Sequence, residues 1–139
     1  MRLLIKFSNK YKTVYENPNT FDWRPVLHYL RQMDPFLNID DLTQREVAPG
    51  FFGKFIHSEK ITVAYWEVKQ GAEIPFHDHV HEMMVNVIEG KLELTIGDKT
   101  EIIQFGTVGI IPSNVPHKAK AVTDCKIIDV FYPVREDYK

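Results

Sequence analysis

From about residue 50 the chain alternates short apolar runs with turn residues. KITVAYWEV, residues 60–68, is dense in β-branched and aromatic side chains and ends in the turn KQGAEIP. EMMVNVIE, KLELTI, TEIIQFG, VGIIP and CKIIDVFYP follow, separated by EG, IGDK, FGT and PSNVP, all rich in turn-forming residues. Leu92, Leu94 and Ile96 alternate with Lys91, Glu93 and Thr95, the period of a half-buried strand. In CKIIDVF the same period puts Cys125, Ile127, Asp129 and Phe131 on one face. Many short strands with no room for crossover helices predict an all-β fold, a small closed barrel or sandwich.

Residues 1–45 are less regular. NPNTFDW reads as a turn, and RPVLHYLRQM as a short helix with Pro25 near its first turn. Val26, Leu27, Leu30 and Met33 supply its apolar stripe, and His28 within it reads as a structural or surface histidine. NIDDLTQREVAPG is a polar approach to the strands. The expected division is an N-terminal extension over 1–45 and a β-barrel domain over 46–139.

Composition narrows the function classes. A chain of 139 residues is the size of one domain, and 44% hydrophobic with 26% charged residues is ordinary for a soluble protein. Seventeen basic against nineteen acidic residues leave a formal charge of -2, with no basic stripe suited to nucleic acid. KFSNKYK reads as a solvated segment. The single cysteine, Cys125, excludes an internal disulfide framework and a cysteine-based zinc cluster, and its strand position suits a buried, inert thiol. MRLLIKF is too short and too quickly charged for a signal peptide, and no apolar run reaches ~18 residues. A soluble cytoplasmic protein, with no membrane partner, is the expectation.

The chemistry gathers in HDHVHEMMVNVIEG, His77 to Gly90. On a strand, His77 and His79 would point to one face, and two neutral imidazoles make half a ligand set for a first-row transition metal. His117, in the rigid turn PSNVPHKAKA, can add a third from an adjacent strand. His81 shares their phase if the strand continues and leaves it if the chain turns. Glu82 stands near the same bend, where alternation is a poor guide.

These stretches resemble the two motifs of the cupin superfamily, small β-barrels that hold a metal between their sheets. Gly71, His77, His79 and Gly90 match the first motif; Gly106, Pro112 and His117 match the second. Asn114 replaces the glycine after the proline, and asparagine also tolerates positive φ. Ala121 replaces the motif's closing asparagine, and Met83 stands where its glutamate belongs. VGIIPSNVPHKAKAVTDCKIIDVFYPVREDY looks closest to the KdgF-like pectin-degradation group.

The resemblance implies a cupin jelly-roll barrel, a homodimer with residues 1–45 as contact or covering material, and action on unsaturated uronate sugars. A thioether at Met83 removes a charge and a hard oxygen ligand. The economical site is then His77, His79 and His117 around one divalent transition metal (Zn, Fe, Ni, Mn or Cu), with water or ligand completing the shell. Met83 either packs beside Val85 and Val87 or makes a weak contact at the fourth position. His81 or Glu82 would move a proton if it faces the pocket, and Glu82 or Asp129 would suit a carboxylate that orients a ligand imidazole. Met83, Met84, Val85 and Phe76 imply an apolar pocket edge, and Arg45, Lys54 or Lys60 would meet an acidic ligand. The expected function is a metal-dependent enzyme on a small organic or sugar-derived acid, with uronate isomerisation or ring opening as one form. A non-catalytic metal-supported binder of a small molecule and an iron-dependent dioxygenase are the alternatives.

Overall fold

Short strands joined by tight turns build two antiparallel sheets that face one another across an apolar core. The computed structural model describes residues 4–7, 10–13, 22, 24 and 35–139. The chain divides into two compact units, Met1–Asn38 and Ile39–Lys139.

In the first unit, β1 (Leu4–Phe7) and β2 (Lys10–Thr13) form an antiparallel hairpin, with Leu4 opposite Thr13. The stretch expected to be a solvated segment therefore contributes to both strands. The turn expected at 17–23 and the helix expected at 24–33, with His28, lie outside the described residues, Asp22 and Arg24 aside.

In the second unit a 3-10 turn at Ile39–Asp41 precedes β3 (Arg45–Ala48) and β4 (Phe51–His57). Then come β5 (Thr62–Val68), β6 (Glu73–His77), β7 (Glu82–Glu89), β8 (Leu92–Ile96) and β9 (Lys99–Ile103). β10 (Val108–Ile111), β11 (His117–Ala121) and β12 (Cys125–Tyr132) close the series. One sheet runs β10-β7-β12-β5-β4-β3 and the other β6-β11-β8-β9. The all-β jelly-roll expectation holds. β3 and β4 were hidden: β3 is a charged edge strand, and Gly53 interrupts the apolar run of β4.

Alternation decides what is buried. In β7, Met83, Val85 and Val87 point inward while Glu82 and Met84 point out. In β12, Cys125, Ile127, Asp129 and Phe131 are the buried set, as their spacing requires. With Leu92, Leu94, Ile103 and Ile111 they fill the space between the sheets. Each such aliphatic or aromatic side chain contributes about 1.5–3 kcal/mol by leaving water. Cys125 donates its S–H to the Lys91 carbonyl, and burial pushes its thiol pKa up, so it is a core residue. Among the described residues no helix is long and apolar enough to cross a membrane.

Candidate metal centre and its cavity

The register of one ladder creates the site. β11 pairs with β6 so that His117, its first residue, stands opposite His77, the last residue of β6. Their rings lie 4.2 Å apart between centroids. His79 lies beyond the end of β6, so strand alternation is not what aims it. The chain bends there, and the His79 ring comes back to 4.8 Å from that of His117 and 5.8 Å from that of His77.

The second motif's turn holds that bend. The Asn114 N–H donates to the His79 carbonyl at 2.8 Å, and the Ser113 hydroxyl donates to the Val80 carbonyl at 2.6 Å. Asn114 sits at φ 60°, the left-handed conformation that glycine would have supplied.

All three imidazoles are oriented from behind. Nδ1 of His77 meets the Pro75 carbonyl at 2.9 Å, that of His79 the His81 carbonyl at 3.0 Å, and that of His117 the Val115 carbonyl at 2.8 Å. A carbonyl only accepts, so each Nδ1 carries a proton, and Nε2 is the nitrogen left to present a lone pair in the neutral ring. The Nε2 atoms of His79 and His117 are buried with no hydrogen-bond partner. One potential ligand atom from each of the three histidines lies within 4.8 Å of the others. Burial lowers the pKa of His79 to about 4, and burial likewise lowers that of His117. His79 and His117, kept neutral by burial and with partnerless buried lone pairs, together with the likewise oriented His77, fit a divalent transition metal, and the cluster can hold one.

The cluster opens on a cavity of about 100 Å³ between the sheets. Met83, 7% exposed, lines it beside Val85, with Ile111 and Phe131 as its cross-strand neighbours. The expected apolar edge is corrected in part: Met84 and Phe76 point to solvent. Glu82 is exposed on the outer face of β7 and lines no part of the cavity. His81 is half-buried outside the cavity wall, its Nε2 donating to the Val134 carbonyl at 3.3 Å.

The charged groups in the wall are Asp129 and Arg135. Burial raises the Asp129 pKa to about 7, against the opposing influence of the Trp66 indole and Arg135. Trp66 Nε1 and Asp129 Oδ1 are both buried without completing a hydrogen bond. Arg135 is held by Asp137 through two bonds of 2.9 and 2.7 Å, and its guanidinium lies over Phe131 at 5.0 Å and Tyr138 at 4.3 Å. The cations expected to meet an acid are elsewhere. Lys54 donates to the Ile39 carbonyl, Arg45 to that of Tyr138, and Lys60 is exposed. Sequence reasoning missed Arg135 because it follows the end of β12, where alternation no longer says which way a side chain points.

Comparison with known proteins agrees with this architecture. Residues 64–131 match the cupin domain family. An RmlC-like cupin from Shewanella frigidimarina superposes with a TM-score of 0.72 at 22% identity, over 77% of this chain and 97% of that one. KdgF from Halomonas sp. does so with a TM-score of 0.71 at 25% identity, over 75% of this chain and 99% of that one. H2HPP isomerase of Bacillus subtilis is 28% identical over 110 residues, 77% of this chain, which spans only 46% of that protein. On its matched domain, its two facing sheets and these neighbours, the chain carries a cupin domain over residues 64–131 and resembles the small KdgF-like cupins.

Proposed function

We propose that the protein is a metal-dependent enzyme acting on a small organic or sugar-derived acid, by isomerisation or ring opening. The carrying observation is that Asp129, a buried carboxyl with a pKa near 7, shares one cavity with Arg135 and three convergent imidazoles. His77, His79 and His117 would hold one divalent metal. A bound metal would supply Lewis acidity to an oxygen of the ligand.

The chain's own residues do the rest. Arg135, fastened by Asp137 and stacked on two aromatic rings, presents a positive charge to a ligand carboxylate. Asp129, balanced between its two protonation states near neutral pH, is suited to give and take a proton. It replaces His81 and Glu82 in that role, because neither lines the cavity. Met83 and Phe131 exclude water on the apolar side. An unsaturated uronate monomer is the substrate that the sequence resemblance to the KdgF-like group implies, and the Bacillus relative is named as an isomerase.

The test uses tag-free protein, metal analysis and product detection by NMR with an unsaturated uronate monomer. The expected result is about one equivalent of tightly held metal and turnover that Asp129→Asn abolishes without loss of metal. Stoichiometric metal with no conversion beside an active control enzyme would overturn the uronate reading. A protein that neither retains nor rebinds metal would overturn the metalloenzyme reading.

We further propose a homodimer through the outer face of the six-stranded sheet. There Ile110, Met84, Val130, Val63 and Ile56 form one row across five neighbouring strands. Ile110 is 58% exposed and Met84 43%. An apolar row of this kind is self-complementary under a twofold axis.

A further inference from the structure

Around the cavity four buried polar atoms have no partner: Nε2 of His79 and of His117, Nε1 of Trp66 and Oδ1 of Asp129. A metal accounts for the two imidazole nitrogens. It does not account for an indole N–H, which can only donate.

The indole is held in one orientation. Gly53 lies opposite Trp66 in the β4–β5 ladder, and a Cβ there would meet the ring at 2.7 Å. Phe51, Phe55 and Tyr138 pack on the indole edge to face, at 6.3, 5.3 and 6.0 Å. Trp66 is thus seated on a glycine and clamped on three sides, 7% exposed, with its one polar atom unsatisfied.

Asp129 is its diagonal neighbour. β5 and β12 pair with Trp66 opposite Ile127 and Ala64 opposite Asp129, so both side chains face inward one step apart. A donor and an acceptor stand side by side, near enough for a hydrogen-bond-like pull of the indole to favour the ionised carboxyl, yet neither Trp66 Nε1 nor Asp129 Oδ1 completes a bond.

We propose that Trp66 and Asp129 form a hydroxyl subsite beside the metal centre, so that the ligand is a hydroxy acid. The hydroxyl oxygen accepts from Trp66 Nε1–H, and its O–H donates a hydrogen bond to the Asp129 carboxylate. A hydroxyl is a single group that satisfies both. With Asp129 ionised, a carbonyl meets only the indole, an ammonium only the carboxylate, and a methyl neither. A site built to pair a hydroxyl rejects the analogue that lacks it, because its own polar groups are then left buried and unpaired. The proposal rests on the metal-dependent, acid-binding reading above.

The test compares two diacids that differ by one hydroxyl, tartronate and malonate, titrated calorimetrically into the zinc-loaded full chain. Tartronate is expected to bind about tenfold or more tighter, and Trp66→Phe is expected to erase most of that preference. A hydroxyl can also chelate zinc by itself, so a preference that survives Trp66→Phe overturns the subsite. The chain has two tryptophans, Trp23 and Trp66, so the indole N–H can be followed by NMR in unmutated protein, should Trp66→Phe fail to fold. Trp23→Phe assigns the Trp66 resonance, which is expected to move downfield with tartronate and to stay near its free position with malonate. Equal response to both diacids overturns the subsite and leaves the acid-binding reading standing. Stoichiometric zinc with no binding of either diacid overturns both.

Discussion

His117 stands directly opposite His77 across the β6–β11 ladder, with 4.2 Å between ring centroids. Backbone pairing alone brings two residues forty positions apart into one histidine cluster. His117 is the buried member, 4% exposed, with a partnerless Nε2. His117→Ala should therefore leave the ladder intact and lower metal content from about one equivalent to below ~0.1. Metal analysis of tag-free protein beside a circular dichroism spectrum checks it. Wild-type metal content in this variant would remove His117 from the ligand set.

How much of this is legible in the sequence depends on where each residue sits in its strand. Within strands alternation suffices: the buried face of β12 is readable from CKIIDVF, and so is the inward turn of Met83 and Val85. At strand ends it fails. His79 joins the cluster through a bend outside β6, and Arg135 enters the cavity wall past the end of β12. Met84 and Phe76 are apolar but outward, because apolarity says nothing of which side of a sheet is covered. That the three histidines meet in space is readable only from two motifs together, since no single spacing fixes a register between β6 and β11.

Asn114 tests the hinge between those motifs. Its φ of 60° and its bond to the His79 carbonyl replace what a glycine would do. Asn114→Gly should be within ~0.5 kcal/mol of wild type, whereas Asn114→Val should cost about 1–2 kcal/mol and loosen metal binding by displacing His79. Urea denaturation midpoints and zinc competition titrations measure the two effects. Equal stability for the glycine and valine variants would show that the left-handed turn carries no constraint.

Asp129 should leave a pH signature in the metal-free protein. Its folded pKa, about 7, is raised above 3.8, so the native state holds a proton that the unfolded chain has lost. Stability contributed by the protonated carboxyl is full below pH ~4 and is lost as pH rises towards 7. His79 slopes the other way: with its folded pKa lowered to about 4, stability is lost as pH falls below 6.5. Comparing wild type with Asp129→Asn cancels the histidine. Between pH 4 and 8 the variant should gain on wild type by up to roughly 4 kcal/mol, the shift of Asp129 expressed as free energy. A difference that does not vary with pH would mean that Asp129 titrates as an ordinary carboxylate.

Arg135 should govern affinity for acids without touching the metal. Its guanidinium is kept in place by Asp137, Phe131 and Tyr138, so even the change to lysine forfeits the planar fork and the stacking. Arg135→Lys should weaken binding of a carboxylate ligand about 10-fold, and Arg135→Gln about 100-fold, with zinc content unchanged. Calorimetry with malonate on zinc-loaded protein reads this directly. Undiminished malonate affinity in Arg135→Gln would assign the carboxylate to another cation.

The outer row of the larger sheet carries the last prediction. Ile110 and Met84 are directly paired across β10 and β7, and both side chains are exposed at the end of an apolar row. Paired with its own copy about a twofold axis, the row would bury side chains that water otherwise covers at about 25 cal/mol per Å². Lysine at these positions places like charges from two copies against one another, a cost that the free chain does not bear, because both positions already face solvent. Met84→Lys combined with Ile110→Lys should convert a dimer into a monomer of 16.3 kDa by light scattering, with unchanged thermal stability at low concentration. The cavity lies on the opposite face of the same strands, so the monomer should keep its metal. A wild-type chain that is already monomeric at high concentration, or a double variant that stays dimeric, would remove this face from the assembly.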